Sequence, residues 1–112
     1  MSHGAAMIWC PFADEAQALA AGEALEAEGL VACANILPAI TSVFRWDGQV
    51  QRANEVAAIF KTTAALLDRA CEHLAILHPY DTPAIMGWLV DSAPHVTRDW
   101  LESVTGSAGD GG

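Results

Sequence analysis

The spacing of apolar positions along the chain switches between a strand-like and a helix-like period. Residues Ala5 to Cys10 form a short apolar run bounded by Pro11, the pattern of a buried strand. Asp14 then stands as an N-cap for an Ala-rich helix reaching about Glu28, with Glu15 suited to the positive helix start. Ala18, Ala21 and Leu25 share one face of it, and Gly29 sits where a helix commonly stops. From Leu30 to Trp46 the helical period is lost and β-tolerant residues dominate. Pro38 cannot donate to a ladder, so it marks a bend or an edge. Asp47-Gly48 is a two-residue hairpin turn. A returning strand passes through Gln49 and Val50 and resumes at Glu55, with Val56 to Phe60 continuously apolar. Thr62 or Thr63 caps a helix over about Ala64 to Leu77. Its apolar stripe is Leu67, Ala70, Cys71, Leu74 and Leu77. Ala84 to Val90 reads as a strand, and Thr97 caps a short last helix carrying Trp100, Leu101 and Val104.

The order β-α-β-β-α-β plus a short helix is the ferredoxin-like split βαβ plan. It predicts an α+β fold: one antiparallel sheet with both helices on one face. The other face is left open unless another copy covers it. Residues 1–105 read as a single domain, with a disordered Gly-rich tail over 106–112.

Composition narrows the function classes. With 112 residues, 53 % of them hydrophobic, the chain can build one core. Mean hydropathy is +0.27, high for a small monomer. The formal net charge is −9, from 14 acidic and 5 basic residues. That excludes phosphate-neutralising nucleic-acid binding and disfavours anionic membranes, whereas a cation is attracted. No apolar run reaches the roughly 20 residues of a membrane span, and the N-terminus lacks signal-peptide features. Three cysteines without a C-x-x-C pair argue against a disulfide framework or a closed zinc site, and a reducing cytoplasm is the expected compartment.

Few residues offer chemistry. Cys71 on the helix stripe and Cys33 inside a strand read as small buried hydrophobes. Cys10 ends the first strand beside a loop, where a thiolate could take a soft metal such as copper. His73 falls on a solvated face, and His95 has no obvious partner. His78 opens His78-Pro79-Tyr80-Asp81-Thr82-Pro83, a stretch stiffened by two prolines that reads either as a helix-ending turn or as a site. Trp46 and the other three tryptophans suit core or oligomer packing. Lys61 at the end of an apolar strand needs a carboxylate, a carbonyl or a ligand, and Glu55 could meet it only across strands or subunits. The chain has no nucleophile elbow, Walker loop or G-x-G-x-x-G, so it reads as a protein that is not an enzyme.

Five stretches in order resemble the CutA family of divalent-cation tolerance proteins. They are Cys10 followed by Asp14-Glu15 and an Ala-rich helix; Leu30 to Pro38; Thr41 to Gly48; Glu55 to Thr63; and His78 to Pro83. The resemblance runs from about Ile8 to Val104. It implies a ferredoxin-like subunit in a tight homotrimer, with the long hairpin strands pairing between subunits. It also implies a role in the response to metal ions, with copper(II) or another divalent cation as ligand and no organic cofactor. Cys10 stands where some members carry a proposed copper ligand. His78 is the motif's own histidine, and Leu77 stands where some members carry another. Cys10 and His78 are thus the metal candidates, and Lys61, Tyr80 and Trp46 the candidates for lining a cleft between subunits. The family is similar in architecture to the PII signalling trimers, which implies an alternative: a scaffold binding a small metabolite in that cleft. Metal-only or metabolite-only thermal stabilisation separates the two.

Overall fold

In the computed structural model, which describes residues 4–106, strand β1 runs Ala5–Phe12 and continues through Pro11. His3 and residues 107–112 lie outside the described residues, and so do the expectations placed on them. Helix α1 spans Glu15–Ala27, and the Asp14 side chain accepts the Gln17 backbone N–H at 2.9 Å, so the predicted cap is present. Its end is a Schellman turn: Gly29 N–H donates to Glu26 C=O and Leu30 N–H to Leu25 C=O. Gly29 holds φ at 73°, a conformation costly for side chains with a Cβ.

Strand β2 covers Cys33–Trp46 and β3 Gln49–Thr63. Asp47 and Gly48 both take positive φ, the type I′ geometry whose twist suits a hairpin. A bulge between Leu37 and Ile40 sets Pro38 and Ala39 against Val56 alone, so the residue without an N–H lies where the ladder is already interrupted. Two boundaries differ from expectation. Leu30 and Val31 are buried but precede β2, and the stretch is tied to β3 by Ala32 N–H on the Lys61 carbonyl and by Thr62 Oγ1 on the Leu30 carbonyl, both 2.7 Å. The polar stretch from Gln51 to Asn54 does not interrupt β3, because it pairs in register with β2 from Thr41 to Phe44.

After a 3-10 turn over Ala64–Leu66, capped by Thr63 Oγ1 accepting the Leu66 N–H, α2 spans Leu67–Leu77. Strand β4 is only Met86–Leu89, and α3 covers His95–Ser103. Thr97 is not its cap: the helix starts after Pro94, and the Thr97 N–H already donates to the Pro94 carbonyl. Gly106, expected to begin the tail, is tied by its N–H to the Gly29 carbonyl at 2.7 Å.

The antiparallel sheet has the order β2-β3-β1-β4. Alternate residues Ile8, Cys10 and Phe12 of β1 and Val56, Ala58 and Phe60 of β3 form the core with Ala18, Ala21 and Leu25 of α1 and Ala70 and Leu74 of α2. Both helices therefore cover one face, as the split βαβ plan requires. Register places Met7, Trp9, Leu37, Ile59, Met86 and Trp88 on the other face. Met86 is 66 % exposed there and Trp88 43 %.

Pairing of β1 with β3 ends at Phe12 and Val56. Beyond it, Ile40–Trp46 and Gln49–Glu55 continue as a two-stranded ribbon reaching about 20 Å. Val43, Phe44, Trp46 and Val50 on it are all exposed.

Gly87 is where α2 meets β4: a Cβ there would lie 2.7 Å from Leu67 Cδ1 and 3.3 Å from the Met7 carbonyl oxygen. Gly87→Ala is therefore expected to cost about 1–3 kcal/mol by overpacking, read by urea unfolding at fixed protein concentration.

Candidate functional site

The short β4 creates the site. Its pairing with β1 stops at Trp9 and Met86, so β1 has no strand neighbour on that flank at Pro11. Proline is tolerated there because no ladder partner requires its N–H. The Pro11 carbonyl is instead taken by the loop that follows α2: His78 Nε2 lies 2.9 Å from it. A carbonyl only accepts, so Nε2 carries the proton, and Nδ1 accepts the Tyr80 backbone N–H at 3.1 Å. The imidazole is buried, stacks on Phe12 at 4.4 Å between centroids and 13° between planes, and meets the Tyr80 ring at 4.6 Å. The Tyr80 hydroxyl donates to Glu55 Oε2 at 2.7 Å. Burial, and after it this bond to Glu55, pushes the phenol up to about 12.

Cys10 belongs to the same cluster. It is fully buried, and its Sγ points at the Pro11 carbonyl at 3.5 Å. Burial pushes its thiol up to about 12, with the Glu55 charge acting in the same direction. The two metal candidates are thus brought together, but on a shared acceptor. Metal ligation needs a thiolate and a bare imidazole nitrogen. The thiol is fully buried and both ring nitrogens are engaged, so within this one chain neither side chain is free for a cation. Among the described residues, no group of three or more His, Cys, Asp or Glu side chains in this one chain could hold a metal ion.

Within this one chain the three candidates for a cleft between subunits lie apart. Tyr80 sits at the root of the ribbon on Glu55, and Trp46 is at its tip, 64 % exposed. Lys61 pairs with Cys33 and Met7 at the far end of the sheet. Twelve residues of β3 separate Lys61 from Gln49, the register partner of Trp46, which is about 40 Å of strand. Glu55, six residues from Lys61 on one strand, serves Tyr80. His78 does not turn back to the helix carbonyls with its ring; only its backbone N–H does, to Leu74. His95, which lacked an obvious partner in sequence, lies 2.9 Å from Asp99 one helical turn on.

Sequence reasoning missed Glu55 as the acceptor for Tyr80, and the Pro11 carbonyl as the hub. A proline inside an apolar strand is the one local signal for the latter, since it marks a stretch without a ladder partner. The remaining cysteines are unremarkable chemically. Cys33 is half-buried, with its thiol 3.9 Å from Asn35 Oδ1. Cys71 packs against the core from α2, and burial raises its thiol as well.

Two outcomes follow from these protonation states. At about pH 8 the Cys10 thiolate fraction lies about a thousandfold below that of an ordinary cysteine, so alkylation of the native protein should spare Cys10 until the chain unfolds, as read by mass spectrometry of digests. The native state keeps the Cys10 proton up to about 12, while the unfolded chain releases it near 9.0. Between those values the unfolded state binds fewer protons, so stability falls as pH rises. Tyr80 acts in the same sense from its ordinary 10.0. Melting temperature should therefore decline steadily above about pH 9, and a flat profile would contradict the assignment.

Comparison with known proteins bears on the family and the fold. Residues 6–104 match the family model of the CutA1 divalent ion tolerance protein. The divalent-cation tolerance protein CutA of Thermus thermophilus is 35 % identical over 100 residues, covering 89 % of this chain and 95 % of that protein. The chloroplastic protein CutA of Arabidopsis thaliana is 37 % identical over 78 residues, which are 70 % of this chain but 43 % of that longer protein. The crystal structure of divalent ion tolerance protein CutA1 from Ehrlichia chaffeensis superposes with a TM-score of 0.89 at 31 % identity, covering 95 % of this chain and 98 % of that one. A family match over nearly the whole chain and a shared fold at this identity leave one assignment: the chain belongs to the CutA family of divalent-cation tolerance proteins.

Proposed function

We propose that this chain works as a homotrimer in divalent-cation tolerance, without catalysing a reaction, and that its cation contacts draw ligands from more than one subunit. The observation carrying the assembly is the uncovered apolar surface. Trp9, Ile59, Met86 and Trp88 on the open sheet face share that face with Phe44 and Trp46 on the ribbon. An isolated two-stranded ribbon is at best marginally stable in water, and apolar surface of this extent marks a contact. A second and third copy of the chain supply the cover.

The metal side of the proposal rests on charge and on family membership. A net charge of −9 per chain, tripled in the assembly, concentrates cations at the surface. Copper(II) is the ion that the family resemblance puts first, with other divalent cations as competitors. Cys10 and His78 are engaged inside one subunit, which leaves carboxylates and other side chains meeting across subunits as the ligands. The three free cysteines suit a reducing compartment such as the cytoplasm.

Sedimentation equilibrium is expected to return three times the 11.8 kDa of one chain. Phe44→Asp places a charge on the ribbon face that the assembly buries and is expected to shift the mass towards one chain. Any saturable copper heat measured by calorimetry should be lost with the trimer. A wild-type monomer, or copper affinity unchanged in the monomeric variant, would refute this reading.

A further inference from the structure

We infer that Cys10 and His78 form a latch on the Pro11 carbonyl that seats Tyr80 on Glu55 at the root of the ribbon, and that neither side chain is open to a cation in the folded chain. His78 is then a positioning residue. Its ring bridges three separate pieces of chain: the Pro11 carbonyl on one nitrogen, the Tyr80 backbone on the other, and the Phe12 ring against its face. It is 6 % exposed, and Cys10 is 0 % exposed. A cation approaching His78 would have to displace either a carbonyl acceptor or a backbone N–H donor, each of which would be left buried and unpaired. Approaching Cys10, it would have to reach a side chain with no exposed surface whose Sγ already lies 3.5 Å from the Pro11 carbonyl.

The far end of the latch falls at a structural boundary. Glu55 pairs with Ile40, the first register pair beyond the bulge, where the four-stranded sheet gives way to the ribbon. Tyr80 reaches it only because its own backbone N–H is fixed by His78 Nδ1 two residues earlier. The stiff Pro79 and Pro83 limit how else the loop can lie. The side chains that a metal-binding reading would spend on a cation are thus spent on placing one tyrosine.

The test uses the full-length protein. Long-range nitrogen–proton NMR on the imidazole of His78 is expected to show Nε2 protonated and Nδ1 bare at neutral pH. Neither resonance should move when zinc, a diamagnetic divalent probe, is added in stoichiometric excess. Copper calorimetry on Cys10→Ser and His78→Gln should give a Kd within about twofold of the parent, or no saturable heat in all three. The Tyr80 amide should lose hydrogen-exchange protection in His78→Gln and keep it in Cys10→Ser. Zinc shifting either His78 nitrogen, or a loss of copper affinity of about tenfold or more in either variant, would overturn the inference. If His78→Gln does not fold, the NMR result on the parent protein decides alone. These readouts do not depend on chain mass, so their failure leaves the trimer reading standing.

Discussion

A mismatch in strand length organises this molecule. β3 has 15 residues and β1 has 8. Where β1 ends, β3 loses its neighbour on that side and keeps only β2. The hydrogen-bond ladder of the hairpin goes on, but the helix layer does not follow it. Beyond Val56 the backbone is satisfied by its partner strand, while the apolar side chains Val43, Phe44, Trp46 and Val50 stay exposed within the chain. The same shortage of cover affects the sheet face opposite the helices, which carries two tryptophans and two methionines beside Ile59. Hydrophobic burial on the helix side holds the subunit together, and the apolar surface on the other side is what the proposed assembly would bury.

Prolines set the limits of pairing. Pro38 lies in the bulge, where β2 carries one residue more than β3, and the lost donor costs no ladder bond. Pro11 lies past the end of β4, where β1 is an edge on one flank. A carbonyl on such an edge must still find a donor. The buried imidazole of His78 supplies it, and the rest of the loop is arranged around that bond. The result is a polar cluster, from Pro11 through His78 and Tyr80 to Glu55, at the point where the ribbon begins. Its polar groups are paired with one another inside the chain.

Most of the fold was legible in the chain. Local rules are strong at Asp14, Gly29 and Asp47-Gly48, where one residue type satisfies one backbone geometry, and the structure follows each of them. The rules fail where tertiary pairing overrides them. Gln51 to Asn54 is polar and looks like a break, yet register with β2 keeps it in the strand. Pro11 looks like a strand end, yet only one of its flanks needed a donor. Thr97 looks like a cap, yet the extended Pro94 is the cap residue and the helix starts at His95. The candidate site was half legible. The motif from His78 to Pro83 flags the loop, and Cys10 flags the strand that it meets. Their partners are the Pro11 carbonyl and Glu55, which lies more than twenty residues away in sequence from Tyr80, so spacing alone could not show which contacts these side chains make. Lys61, Tyr80 and Trp46 were grouped by resemblance, whereas strand geometry holds them apart within one subunit.

The central claim is that the ribbon is ordered because other copies of the chain cover it. Hydrogen exchange of the backbone amides from Ile40 to Glu55, followed as protein concentration is lowered, tests this directly. Protection across the ribbon that is high in the assembled protein and collapses on dilution, while Ile8 and Phe60 in the core stay protected, is the predicted result. Ribbon amides that exchange freely at every concentration would contradict it, as would protection that ignores dilution in a protein shown to be monomeric.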